Sequence, residues 1–196
     1  MKPITAADIL NNTTFKEHRP RLERQVIHDK EARRLSVGTN ITLLFENRVT
    51  LIWQIQEMCR VEHIERPEAV AHEIETYNAL LPRMNELSAT MLVEYDEPVV
   101  RGKMLSALRG LQNHMRLEIE GQEPVSGAFD AEQYNTDRIS SVQFVRFALL
   151  PAQVDALCDL RVAAAVVVDH PAYAARAPLT GAVRGALVQD LIEGRA

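Results

Sequence analysis

The sequence predicts an α+β fold: a mainly antiparallel sheet, with added helices at the N-terminus and one helix at the C-terminus. Three observations carry that prediction. Between positions 89 and 168, apolar runs of strand length alternate with stretches of helical periodicity. Met115–Glu120 alternates strictly, placing Met115, Leu117 and Ile119 on one face and Arg116, Glu118 and Glu120 on the other. Helix-start signals (Thr5, Pro20, Thr50 and Pro67) crowd the first 80 positions.

Thr5 caps a short helix over Ala6–Leu10. A longer helix is expected over about Arg19–Arg34, with Pro20 in its first turn, where proline is tolerated. Its apolar line is thin: Phe15 ahead of it, then Leu22 and Val26. From Lys16 to Arg34 seven Lys and Arg residues outnumber four Asp and Glu residues. A solvated helix face accounts for that local charge; an anion or nucleic-acid site is the sharper alternative. Leu35–Gly38 and Ile41–Glu46 read as a hairpin around Thr39-Asn40. Thr50 opens a helix to about Ile64, Pro67 opens another to about Leu80, and Pro82 and Asn85 mark a loop.

Ala89–Tyr95 is a strand, and Val99–Leu111 is a helix with Val100, Met104, Leu108 and Leu111 on one face. After the alternating strand, Gly121–Asp137 reads mostly as turn and loop. Ser141–Leu149 is a strand, and Pro151 begins a short helix to about Leu160. Arg161–Val168 is the most apolar strand and is placed centrally. Pro178–Ile192 is the closing helix. Segments 89–120 and 141–168 are thus strand–helix–strand units of similar size. Two such units can interleave into one four-stranded sheet with helices on one face, a ferredoxin-like plait, with the 35–46 hairpin extending an edge.

Composition bounds the rest. The 196 residues suffice for a core and are few enough to read as a single domain, 1–196. A hydrophobic share of 46% and a charged share of 25% are ordinary for a globular chain. The net charge of −5 opposes generic phosphate binding, so a nucleic-acid partner is not expected. Cys59 and Cys158 form no CxxC pair and are expected as two buried thiols. No apolar run approaches the roughly 20 residues of a membrane helix, and the first residues lack the apolar stretch of a signal peptide. No membrane association is expected, and cytoplasmic location follows by default.

The chemistry-bearing residues concentrate in one stretch. On the helix opened by Thr50, Leu51, Ile52, Ile55, Met58 and Cys59 form an apolar face, and Glu62 falls within it. Gln54 borders that face and Glu57 lies further out. A carboxylate on a core-facing stripe must find a partner or a proton. Either Glu62 sits in a pocket that Glu46 and Arg48 approach, or it reaches solvent or an arginine at the helix end. Trp53 lies on the opposite, polar face, where the charged N-terminal helix covers it or a partner does. Asp169-His170-Pro171 ends the most apolar strand. It reads as an acid–base pair, in which an aspartate orients an imidazole, or as a plain turn.

None of the six histidines follows a glutamate by three positions, and none is paired with another at i,i+4. Gly-x-Gly-x-x-Gly and Walker-type phosphate loops are also absent from the sequence. No metal and no cofactor is predicted.

Several motifs together resemble a bacterial family catalogued as domain of unknown function three-five-zero-one. They are Thr42-Leu43-Leu44-Phe45-Glu46-Asn47-Arg48 followed by Gln54, Gln56-Glu57-Met58, Arg60 and Glu62; Tyr77-Asn78 with Leu80-Leu81-Pro82; and Asp169-His170-Pro171-Ala172-Tyr173. The likeness covers nearly the whole chain. It implies no catalytic residues. It does imply an accessory role in redox or peroxide metabolism, because such proteins are encoded near rubrerythrin-like and iron–sulfur proteins. The first expectation is therefore a non-enzymatic accessory or binding protein with a redox protein partner, homodimeric by the general prior. The alternative is a small-ligand binder or enzyme with a carboxylate-rich site around Glu46–Glu62.

Overall fold

The computed structural model describes residues 1–130 and 137–195. Its first 81 residues, apart from one hairpin, build a helical layer. Thr5 opens a short 3-10 turn, Ala6–Asp8, by donating from its backbone N–H and its hydroxyl to the Asp8 carboxylate at 2.8 and 2.9 Å. Helix α1 (Asn12–Glu31) follows. It starts well before the expected Arg19, because Asn11 caps it: its Oδ1 accepts from the Thr14 N–H at 2.9 Å, and Phe15 is fully buried one turn in. Pro20 therefore lies inside the helix rather than at its start. It is exposed, so the carbonyl it deprives of a donor faces water. Helix α3 (Pro67–Asn78) starts where expected, and α2 (Arg48–Val61) starts two residues before Thr50, because Asn47 caps it; α2 packs on α1 and on α3, and α3 also meets the 3-10 turn. Ile4, Leu51, Ile55, Cys59, Ile74 and Leu81 form the apolar centre of this layer.

Among the described residues, nine strands form two antiparallel sheets. The first contains β1 (Arg34–Val37), β2 (Ile41–Phe45), β3 (Glu86–Val93), β7 (Val142–Ala148) and β6 (Ala128–Phe129), in that order. The second runs β5 (Val125–Ser126), β4 (Met115–Ile119), β8 (Ala164–His170) and β9 (Tyr173–Pro178). The expected hairpin is present as β1–β2, and β4 alternates as predicted, with Met115, Leu117 and Ile119 buried. The α+β class, the antiparallel pairing, the N-terminal helices and the C-terminal helix all stand.

The topology differs from a plait. β3 and β7 lie side by side, as interleaved units would place them, but β4 and β8 pair with each other in the second sheet. Each strand–helix–strand unit is therefore split between sheets. The link between sheets is a segment that reads from sequence as loop. Residues 125–126 pair with β4, residues 128–129 pair with β7, and the Gly127 N–H donates to the Met115 carbonyl at 2.9 Å. A Cβ at Gly127 would lie 2.9 Å from Val145 Cγ2, so only glycine lets the chain cross there. Positions 131–136 of the expected loop lie outside the described residues.

The inner faces of both sheets enclose one core, including Phe45, Met91, Val145, Phe147, Leu117 and Val166. Three helices close onto it: α4 (Pro98–Ala107), α5 (Pro151–Cys158) and α6 (Gly181–Glu193). On α4 the inward residues are Leu105 and Leu108, joined by Leu111, while Val100, expected inside, is exposed. Arg184 of α6 is buried and donates to the Leu157, Asp159 and Val162 carbonyls, satisfying the end of α5.

The far edges of the two sheets meet at β9, which the sequence did not announce: Pro178, read as the first residue of the closing helix, is instead the last of β9, and α6 begins at Gly181. The Tyr173 hydroxyl donates to the Val37 carbonyl at 2.6 Å and accepts from the Asn40 N–H at 3.1 Å. It occupies the space beside Gly38, whose φ of +75° suits glycine. Replacing Tyr173 with Phe leaves the Val37 carbonyl and the Asn40 N–H without this partner. The expected loss is about 1–3 kcal/mol of unfolding free energy, seen as a lower urea midpoint at unchanged slope. An unchanged midpoint would show that the edges hold without the phenol.

Candidate functional site

Glu46 leaves β2 and turns its carboxyl under the start of α2. It is only 3% exposed. Its Oε2 accepts from the Thr50 hydroxyl at 2.5 Å and its Oε1 from the Thr90 hydroxyl of β3 at 2.6 Å. Burial pushes the Glu46 carboxyl up, against the pull of the two threonines and of nearby Lys30 and Arg33. Asn47 caps α2 by accepting from the Thr50 N–H at 3.0 Å. Beside it, buried Arg33 pairs with Asp190 of α6 at 2.8 Å. This cluster joins the hairpin, the first helix layer and the C-terminal helix.

The other residues expected around Glu46 point elsewhere. Arg48 pairs with Asp8 at 2.5 Å, and its guanidinium holds the Asp8 carboxyl at about 2. Gln54 is half-buried in mid-helix. Glu57 bridges Arg19 and Arg60, each at 2.8 Å. Burial raises the Glu57 carboxyl, but the two guanidiniums outweigh it and hold it below the usual range. Glu62 is the exposed C-cap of α2, so of its two expected fates it reaches solvent. Glu46 and Glu62 are separated by roughly 20 Å of helix, at 1.5 Å per residue. They share no cavity.

Trp53 is covered by α1. Phe15 meets it edge-on at 5.6 Å between centroids, and the Arg19 guanidinium lies 5.5 Å from its ring.

Asp169 and His170 occupy successive strand positions, so their side chains leave opposite faces and cannot pair with each other. Asp169 is exposed. It contacts Arg116, and its Oδ1 lies 3.2 Å from His114 Nδ1. His170 is buried. Its Nδ1 accepts from the Ala172 N–H at 3.1 Å, which leaves Nε2 to donate to the Arg109 carbonyl at 2.9 Å. The aspartate does orient an imidazole, but it is His114, brought from β4's approach by the β4–β8 pairing.

Two features carried no sequence signal. The Gln56 amide clamps Leu10, accepting from its N–H at 2.7 Å and donating to its carbonyl at 3.0 Å. Asn78 clamps Ile4 in the same way, with both bonds at 2.9 Å. The N-terminal segment so held roofs a cavity of about 400 Å³ whose walls include Ile9, Cys59, Ile64 and Val70. Asn12, Thr13 and Glu65 line both this cavity and an adjoining cleft of about 560 Å³, bordered by Lys16, Arg19, Arg60 and His63. Among the described residues, no three His, Cys, Asp or Glu side chains gather as a metal site would require. No helix there is long and apolar enough to cross a membrane.

These features define an α+β protein with two antiparallel sheets around one core and a helical layer that carries its cavities. The chain belongs to the family described as "Protein of unknown function (DUF3501)", whose model matches residues 3–191. It is similar to a solved structure, a novel protein of unknown function from Burkholderia pseudomallei K96243. The two are 28% identical with a TM-score of 0.90, over 97% of this chain and 100% of that one. No curated protein matches the sequence.

Two stability tests follow from the buried groups. The Glu46 carboxyl binds its proton more tightly folded than unfolded, where its value is 4.5. Its contribution is thus fully present below pH 4.5 and is lost as pH rises through the folded value. Glu46→Gln cannot ionise, so the variant should gain on the wild type from pH 4.5 toward neutrality in urea midpoints. A constant gap over that range would contradict the assignment. Asp190→Ala strands the Arg33 charge in the interior and should cost about 3–5 kcal/mol. The double replacement Arg33→Leu/Asp190→Leu should recover most of it.

Proposed function

We propose that this chain is a non-enzymatic binding protein that serves as an accessory to a redox partner. One observation carries the reading: the side chains best suited to acid–base chemistry are already engaged in holding the fold. Glu46 takes two threonine hydroxyls, Glu57 two arginines, and Asp169 an arginine and a histidine. His170 spends both ring nitrogens on backbone groups. What the helical layer offers instead is concave space, in the cavity and cleft beside α1. The redox association rests on the family, whose members are encoded near rubrerythrin-like and iron–sulfur proteins.

Affinity purification of the tagged full chain from its own cells, with crosslinking and mass spectrometry, tests this reading. A stoichiometric partner carrying an iron or iron–sulfur centre is expected. Recovery without any redox protein would remove the accessory role. Turnover of peroxide or disulfide by the purified chain alone would remove the non-enzymatic one.

A further inference from the structure

The cavity and the cleft beside α1 differ in chemistry but share a border. The inner cavity is walled by Ile9, Leu10, Cys59, Ile64 and Val70, with Asn12, Thr13 and the Glu65 carboxylate on the border it shares with the cleft. Burial pushes the Cys59 thiol up, so it is a protonated, apolar wall there. The outer cleft carries Lys16, Arg19, Arg60 and His63, against one lining carboxylate, Glu65.

Arg19 and Arg60 are partly neutralised, since both bind Glu57 and Arg19 also binds Glu23 at 3.0 Å. Lys16 forms no ion pair among the described residues, and Arg60 uses only Nε and Nη2 toward Glu57. A largely cationic mouth thus opens on a chamber whose deep wall is aliphatic and whose rim is polar. The chamber's volume of about 400 Å³ falls within the range of about 300–1,000 Å³ typical of small-ligand sites.

The backbone around the mouth is held in an unusual conformation. The Ile64 N–H closes on the Cys59 carbonyl at 2.8 Å, which ends α2 in a Schellman turn. The left-handed position of such a turn normally takes glycine, but here it is His63, at φ +53°. The Asn12 amide donates to the Cys59 and Ile64 carbonyls at 3.3 Å, locking that turn to the start of α1. A bulky imidazole is therefore kept at the lip at a backbone cost that glycine would avoid.

We propose that this chamber and its mouth bind a small monocarboxylate bearing a short apolar tail, with the tail against Cys59 and Val70 and the carboxylate at Lys16 and Arg60. The proposal rests on the reading of the chain as a binding protein and names its ligand class.

The molecule carries its own reporters. Trp53, the only tryptophan, lies against Arg19 of the mouth. Cys59 lines the chamber, while the second free thiol, Cys158, lies on α5 and serves as an internal reference. The full chain is titrated with octanoate, following tryptophan emission and the rate of thiol labelling. Octanol (tail without charge) and inorganic phosphate (charge without tail) are the controls.

Octanoate is expected to shift the emission saturably and to slow labelling of Cys59 but not of Cys158. Both controls should bind at least about tenfold more weakly, the size of one charge-assisted contact. Lys16→Glu, at an exposed position, should weaken octanoate by a similar factor at unchanged melting temperature. Val70→Phe should block it by filling the chamber. If Val70→Phe does not fold, Lys16→Glu and Cys59 protection decide.

Equal binding of octanol, no response to octanoate, or an emission change without Cys59 protection would each overturn the site. None of these outcomes bears on capture of a redox partner, so the two readings fail separately.

Discussion

Two sheets share one core here because the chain passes between them through α4, from β3 to β4, and through α5, from β7 to β8, and its tightest passage falls on five residues, 125–129. Val125 and Ser126 belong to the second sheet, Ala128 and Phe129 to the first, and Gly127 turns between them where any Cβ would strike Val145. The remaining geometry depends on that crossing. It makes the strand order continuous from β1 round to β9, so the outermost strands return to face each other and Tyr173 can tie them. It also leaves the outer face of the first sheet for the N-terminal helices. That explains why every residue of β2 is buried, where a sheet covered on one side would alternate.

Charge is used in this molecule mainly as a fastener. Arg33–Asp190 joins the first hairpin to the last helix, Glu46 joins β2, α2 and β3, and Arg19–Glu57–Arg60 joins α1 to α2. Ion pairs of this kind contribute more to which elements meet than to net stability, because desolvation offsets much of their attraction. The amide clamps on Ile4 and Leu10 act likewise on a segment with little regular structure of its own. The concave surfaces beside α1 exist because these ties hold the N-terminal segment off the α2–α3 junction instead of letting it collapse there.

What could be read in the sequence was local. Strict alternation located β4, turn residues located the β1–β2 hairpin, and Thr50 and Pro67 located α2 and α3. Each of these signals acts within a few residues. Partner choice does not: nothing in Ala89–Tyr95 or Ser141–Leu149 says that their strands pair with each other while β4 takes β8. The short β5 and β6 were lost because two-residue strands have no measurable period. β9 was lost because Tyr173–Pro178 carries alanines and an arginine where a strand signal needs β-branched residues. At the site, the sequence singled out Glu62 as the misplaced acid and Glu46 only as a residue approaching it, whereas Glu46 is the buried one and Glu62 is exposed, because companions were chosen by proximity in sequence. Gln56 was quoted only within the family motif, and its reach to Leu10 spans 46 positions. Asp169 was paired in one of its two readings with His170, but neighbours on a strand face apart, and the imidazole it meets is His114, from the residue before β4.

The Tyr173–Val37 bond joins residues 136 positions apart, and the Arg33–Asp190 pair joins residues 157 positions apart. Both connect the first hairpin to segments that leave the ribosome more than a hundred residues after it. Until α6 emerges, the hairpin has no partner for its buried arginine and no neighbour for its outer edge. Over that interval nascent chains carry an open sheet margin, the condition in which strands add to the wrong neighbour. The exposed charges along α1 and the single glycine crossing at 127 then bear on yield as much as on shape. They keep the waiting half of the molecule hydrated and fix the tight turn by which the two sheets join.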